Sequence, residues 1–125
     1  MIAVPHERPV ETSRENTLRV LMEPRENDLN IWISTCLETG YITTGLGYDE
    51  AKENMLEALR TETLYAQENG RNLKTRSPIP AVLEKKWETV TSEHPPESID
   101  LFPPEKKRPG RIANKSSVSV ARAVR

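Results

Sequence analysis

The chain has one cysteine, Cys36. A disulfide within the chain and a zinc site built on cysteines are both excluded. That usage fits a reducing compartment. No apolar run approaches the ~18 residues needed to span a membrane. The first residues, Met1-Ile2-Ala3-Val4-Pro5-His6-Glu7-Arg8-Pro9, lack the apolar core of a signal peptide. The expected location is therefore the cytoplasm. Histidine is scarce as well. His6 and His94 both fall in segments that read as flexible, where a general base would not be held in place. Gly40, Gly45 and Gly47 are not followed by Lys-Ser/Thr, so they build no phosphate loop. Cys36 reads as a small apolar strand residue and not as a nucleophile. The expectation is a protein without catalytic residues, metal ligands or cofactor.

Aromatic residues are few: one Phe, two Trp and three Tyr in 125 residues. Prolines are plentiful but lie mostly outside the middle, at positions 5, 9, 24, 78, 80, 95, 96, 103, 104 and 109. The length allows one small domain. Three regions are expected: a flexible leader over 1–16, an α+β domain over 17–91, and a disordered basic tail over 92–125. A domain of that size buries only about 60% of its unfolded surface and gains from self-association or a partner. Net charge is −1, but it is unevenly spread. From residue 105 onward there are seven basic residues and one acidic, net +6, which leaves 11 basic and 18 acidic, net −7, in residues 1–104. An acidic body suits a basic partner, whereas a basic tail suits nucleic acid.

The stretch from Gly45 to Gly70 organises the rest. It reads as one amphipathic helix that starts near Gly47 and stops at Asn69-Gly70. Ala51, Met55, Ala58, Leu59, Glu62 and Ala66 follow helical spacing, and Leu56 widens the stripe. Asp49 and Glu50 suit the positive end of the helix dipole, and Gly70 suits the left-handed position that ends a helix. Before it, Thr17–Glu23 alternates Leu18, Val20 and Met22 with Arg19, Leu21 and Glu23, the period of a strand. Pro24 to Asp28 is a turn. Leu29–Cys36 is a second strand, with Leu29, Ile31 and Ile33 on one face, and Tyr41–Thr44 is a short third strand of β-formers. After the helix, Pro78-Ile79-Pro80 forces an extended segment. Residues 81–90 space Leu83, Trp87 and Val90 as a short helix would, with an edge strand as the competing reading. Beyond Ser92 the only usable period is Ser117-Val118-Ser119-Val120. The expected fold class is α+β: a small three- to four-stranded antiparallel meander with one long helix packed on one face.

The run from Cys36 to Leu59 resembles the core of HicB-like antitoxin domains. Gly40, Thr43, Gly45, Glu50, Ala51, Asn54, Ala58 and Leu59 match that core without a gap, and Ser77-Pro78-Ile79-Pro80 resembles the segment that follows its helix. The resemblance covers Leu18 to Pro80. It departs at Cys36, where the family usually has Pro, at Leu46, where it has Asp, and at Gly47, where it has a Ser/Thr cap. Gly caps without a side-chain acceptor.

The resemblance implies an antitoxin that binds and neutralises a small basic HicA-like ribonuclease, forms a homodimer or higher oligomer, and regulates its own operon. Trp32, Tyr41, Asp49, Glu50, Glu53 and Glu57 are the candidate toxin-binding residues. For Trp32 and Tyr41 the competing reading is a half-buried sheet residue, and for the four acids a solvated helix face. The second functional reading is a DNA-binding regulator. It would use Lys106, Lys107, Arg108, Arg111 and Lys115 on phosphates or in a minor groove, with the α+β domain as its dimerisation unit. An orphan HicB-like interaction domain without a toxin is the third.

Overall fold

The computed structural model describes residues 17–102 and 117–123. The elements in chain order are β1 (Thr17–Arg25), β2 (Asp28–Cys36), β3 (Ile42–Leu46), α1 (Tyr48–Glu68), α2 (Ala81–Glu93), β4 (Glu97–Asp100) and β5 (Ser117–Arg122). The strands form one five-stranded sheet in the order β3-β2-β1-β5-β4. β1, β2 and β3 are an antiparallel meander. β5 then pairs parallel with β1, setting Leu18 beside Val118 and Val20 beside Val120. β4 closes the far edge antiparallel to β5.

Alternation along β1 decides the layering. Leu18, Val20 and Met22 point to one side, where they pack with Cys36, Val118 and Val120 against Ala51, Met55, Leu56 and Leu59 of α1. Leu101 and Phe102, just after β4, complete this core. Leu21 points to the other side. There it meets Leu37, Ala121 and the half-buried Ile79, Leu83, Trp87 and Val90 of the α2 region. The sheet thus lies between two helices. Each fully buried Leu, Met or Phe contributes about 1.5–3 kcal/mol, and most of these residues belong to the α1 side.

Two expectations are corrected here. The architecture is α+β, but the sheet is five-stranded and mixed, with a helix on each face, in place of a three- to four-stranded antiparallel meander under one helix. The expected disordered segment over 92–125 contains β4, the buried Leu101 and Phe102, and β5. Val118, Val120 and Ala121 bury almost completely, and a strand between two partners has no free ladder to leave unpaired. The packed body therefore extends past residue 91 to Arg122. Residues 1–16, 103–116 and 124–125 lie outside the described residues, and with them fall the expected leader and most of the basic segment.

The elements read from local pattern sit where expected. α1 has Gly47 as its N-cap with no side-chain cap. It ends in a Schellman arrangement: Arg71 N–H donates to Ala66 O at 2.8 Å and Gly70 N–H to Gln67 O at 3.0 Å, with Gly70 at φ 69°. Its buried stripe is Ala51, Met55, Leu59, Thr63 and Ala66, flanked by Leu56 and Arg60. Glu62 is exposed and Ala58 only half-buried, because a 3.6-residue period carries the stripe from Leu59 to Thr63. Residues 81–90 are helical, within α2.

α2 buries none of its side chains fully. Polar ties hold it as much as packing does. Arg19 Nη1 and Nη2 each donate to a Glu84 carboxylate oxygen at 2.9 Å, while Arg19 Nε donates to Glu38 Oε2 at 2.6 Å. The Arg19 guanidinium also lies 5.7 Å from the Trp87 ring centre. Both carboxylates push the Arg19 pKa upward, Glu84 most, against the opposing effect of burial. Glu84 is partly exposed, so solvent screening keeps the pair's contribution modest. Glu84→Ala is expected to cost about 1 kcal/mol. It should speed hydrogen exchange in residues 81–93 more than in α1, a contrast that mass-resolved exchange would read directly.

Candidate binding surfaces

The sequence residues that seal α1 onto β3 form one contact set. Gly45 approaches the first turn of α1 so closely that a Cβ there would lie 2.5 Å from Ala51 N. Thr43 Oγ1 donates to Ala51 O at 3.3 Å, and Asn54 Nδ2 donates to Thr44 O at 2.8 Å. Gly40 turns the chain before β3 at φ 85°. Arg76 clasps that turn, with Nε donating to Leu37 O at 2.9 Å and its own N–H to Glu38 O at 2.8 Å. These residues hold the shape of the domain.

The four candidate acids divide into two pairs. Asp49 and Glu50 are exposed in the first turn of α1. Glu53 and Glu57 are exposed too, but each accepts from Arg60 Nη2, at 2.8 and 3.1 Å. Arg60 Nη1 also donates to Leu101 O at 3.2 Å. The side chain of Arg60 is nearly buried and ties α1 to the segment after β4. Glu53 and Glu57 therefore have a structural duty that the exposed Asp49 and Glu50 lack.

Trp32 and Tyr41 are both half-buried, and they do not meet. Trp32 lies opposite Gly45, while Tyr41 sits four residues before Gly45, about 13 Å along an extended chain. Trp32 packs edge-on to Tyr48 with ring centres 5.3 Å apart. The Arg122 guanidinium stacks over both, 5.0 Å from Trp32 and 4.2 Å from Tyr48. Lys52 Nζ lies 5.4 Å from the Tyr48 ring and 3.5 Å from Glu97 Oε1. Burial raises the Tyr48 hydroxyl pKa most, with the Glu97 and Asp49 carboxylates adding to it and Lys52 and Arg122 opposing it. Sequence reasoning missed this aromatic and cationic cluster because Arg122 had been assigned to a tail. The Ser-Val-Ser-Val alternation just before it was the available signal.

Tyr41 borders a cleft of about 450 Å³ with Glu62, Tyr65, Arg71, Leu73 and Lys74. Burial, then the Glu62 and Cys36 charges, raise its hydroxyl pKa. A second cleft of about 530 Å³ lies over the Arg19–Glu38–Glu84 ties. Cys36 is fully buried, and burial pushes its thiol pKa up, which disfavours the reactive thiolate. Among the described residues, no group of three or more His, Cys, Asp or Glu could hold a metal ion, and no helix is long and apolar enough to cross a membrane.

Lys106, Lys107, Arg108, Arg111 and Lys115 lie outside the described residues. The chain on either side of them is anchored. Leu101 and Phe102 are buried before them, and Asp100 pairs with Ser117 after them. They belong to a connection between paired strands.

Another exposed surface among the described residues is the back of β2 and β3. Leu29, Ile31, Ile33, Ile42 and Leu46 share this face, with Ile31 opposite Leu46 and Ile33 opposite Thr44. α1 covers the other side of these strands, where β2 presents Trp32, Ser34 and Cys36. Ser34 is fully buried and donates through Oγ to Met22 Sδ at 3.2 Å. The more apolar side of β2 is thus the one turned away from the long helix.

No family model matches the sequence, and neither a curated protein nor a solved structure matches it.

Proposed function

We propose that this chain is a HicB-like antitoxin that binds and neutralises a small basic HicA-like ribonuclease. The observation that carries the reading is the close seam between β3 and α1. Thr43, Gly45, Ala51 and Asn54, four of the residues of the resemblance, make it. A second support is charge. The body is acidic, and α1 presents Asp49 and Glu50 to solvent beside the partly neutralised Glu53 and Glu57. A basic partner would approach such a ridge faster than a neutral one.

The test is a pull-down of the tagged full chain from its own cells, at low salt and again at about 0.5 M salt, where the Debye length shrinks to a few ångströms. One small basic protein in stoichiometric amount is expected, encoded beside this chain. Asp49→Asn with Glu50→Gln should weaken its capture at low salt without unfolding the domain. Recovery of nucleic acid with no small protein would overturn the reading and favour the DNA-binding alternative. The basic residues between β4 and β5 are what favour that alternative. They would be tested by neutralising Lys106, Lys107, Arg108, Arg111 and Lys115 together in the intact chain.

A further inference from the structure

Tyr41 and Tyr65 border one cleft of about 450 Å³, between the C-terminal half of α1 and the segment that follows it. Ligand clefts usually measure about 300–1,000 Å³. The segment that walls it is fixed at both ends. Arg71 N–H donates to Ala66 O, and Arg76 N–H donates to Glu38 O, both at 2.8 Å. Between them Leu73 packs against the main core. The cleft is therefore held open by the fold itself.

Three kinds of side chain meet there. Tyr65 is 58% exposed, and the Arg71 guanidinium lies 6.0 Å from its ring centre. Exposed rings and guanidinium planes of this kind stack on nucleic-acid bases. Arg71 and Lys74 bring two positive charges, and among the described residues neither side chain has a carboxylate partner. Glu62 is the single carboxylate of the lining. It is exposed and close enough to Tyr41 for its charge to act on that hydroxyl. Glu68, the next acid along α1, lies outside the lining. The cleft is thus locally cationic on an acidic body.

Two cations call for an anionic group, the ring for a planar one, and Glu62 for a pair of donors. Guanine supplies that pair. Its N1–H and N2 amino group are adjacent donors on the Watson–Crick edge, and one carboxylate accepts from both. Adenine and cytosine set one amino group beside an acceptor nitrogen, which a carboxylate repels. We propose that this cleft binds a guanine nucleotide, with the base on Tyr65, its Watson–Crick edge on Glu62 and its phosphate on Arg71 and Lys74. A free guanosine monophosphate and a guanine within a single strand offer the same chemistry. The place is separate from the basic segment on which the DNA-binding alternative depends. Tyr41 leads into β3, at one end of the sheet order, whereas residues 106–115 join β4 to β5 at the other.

The test is a chemical-shift titration of the full chain with guanosine monophosphate, adenosine monophosphate, guanosine, and a short thymidine strand carrying one guanine. Guanosine monophosphate should move the amides of Tyr41, Glu62, Tyr65 and residues 71–74 together, with a Kd on the order of 0.1–1 mM for so open a site. Adenosine monophosphate should bind at least about tenfold more weakly, and guanosine at least about fivefold. A strand that moves the same amides at lower concentration identifies single-stranded nucleic acid as the source, and one that binds no tighter identifies the free nucleotide. Glu62→Ala changes an exposed side chain and should leave the thermal transition in place while removing the preference for guanine. Arg71→Gln with Lys74→Gln should bring guanosine monophosphate down to the affinity of guanosine. Those two charges also complement the negative end of α1, so the melting of that variant is measured beside its binding. No movement of these amides up to about 10 mM nucleotide overturns the proposal. So does equal binding of adenosine monophosphate, a guanine preference that survives Glu62→Ala, or a strand that moves only amides elsewhere. The cleft does not rest on the antitoxin reading, since toxin capture and nucleotide binding are read in separate experiments.

Discussion

Ending the chain at residue 104 is expected to abolish cooperative unfolding of the whole domain. β5 would be lost, and with it the parallel partner of β1 from Thr17 to Met22 and, among the described residues, the only strand paired with β4. Val118 and Val120 are each worth about 1.5–3 kcal/mol of burial. Their removal also opens Leu18, Val20, Met55 and Phe102 in the same core. Leu18, Val20 and Met22, whose backbone groups face β5, would be left unpaired beside a cavity, an unfavourable state at any burial. Set against a total stability of about 5–15 kcal/mol, the loss leaves little or no folded population. Urea titration followed by circular dichroism is the check, and a shallow, non-sigmoidal profile is expected. A truncated chain that still unfolds in one sharp step would show that β5 is dispensable. The same reasoning governs any test of the basic residues. Loss of nucleic-acid binding after truncation would report an unfolded chain, so the charges at 106–115 must be neutralised within the intact strand pair.

Gly45→Ala is the second change with a large expected effect. The added Cβ would lie 2.5 Å from Ala51 N, 2.8 Å from Ala51 Cα and 2.8 Å from Glu50 C, all of them backbone atoms. No side chain can rotate aside to make room. The first turn of α1 must lift from β3, which strains the Thr43–Ala51 and Asn54–Thr44 hydrogen bonds. The expected cost is about 3 kcal/mol, a fall in Tm of at least about 12 °C for a domain this small. Gly70→Ala is the comparison. Its Cβ meets nothing within 4 Å, and only the left-handed backbone at φ 69° is penalised, by about 1–2 kcal/mol. Calorimetry of the two variants separates steric closeness from backbone preference. If Gly45→Ala melts no lower than Gly70→Ala, the seam between β3 and α1 is looser than described.

Parts of this protein were legible because they are local. The β1–β2 hairpin follows from two alternating runs around Pro24 to Asp28. α1 follows from a stripe that repeats over five turns and from Gly70 at its end. Even the exchange of Glu62 for Thr63 in the buried stripe needed only the drift of a 3.6-residue period. The exposure of the four candidate acids was legible, but not the ion pairs of Glu53 and Glu57. Their partner Arg60 reaches Leu101, 41 residues further along the chain, and no spacing rule connects those positions.

β2 is where local pattern and packing part. Leu29, Ile31 and Ile33 make one side of it the more apolar, which on pattern alone is the side to place under the long helix. The structure turns that side outward. The register of β2 against β1 sets Cys36 beside Val20 and Ser34 beside Met22, and β1's Leu18, Val20 and Met22 are already committed to α1. A one-residue slip would satisfy β2 and reverse every pair. The hairpin turn and the buried Ser34–Met22 contact hold the register instead. Local hydrophobicity lost to pairing, and an aliphatic face is left over on the back of β2 and β3.

By itself the sequence determined an α+β chain with an antiparallel hairpin, a third short strand, a long helix and a lone unreactive cysteine. Each of these depends on residues within a few turns of one another, where periodicity, turn chemistry and capping act directly. Only the tertiary structure decided that β5 slides in parallel between β1 and β4, that α2 covers the opposite face, and that the basic residues sit between paired strands. β1 and β5 pair at a separation of 100 residues, with Val20 beside Val120. A pairing that distant leaves a short alternation of two valines as its only local trace. Its energy comes from burying those valines against residues that other elements have already brought together.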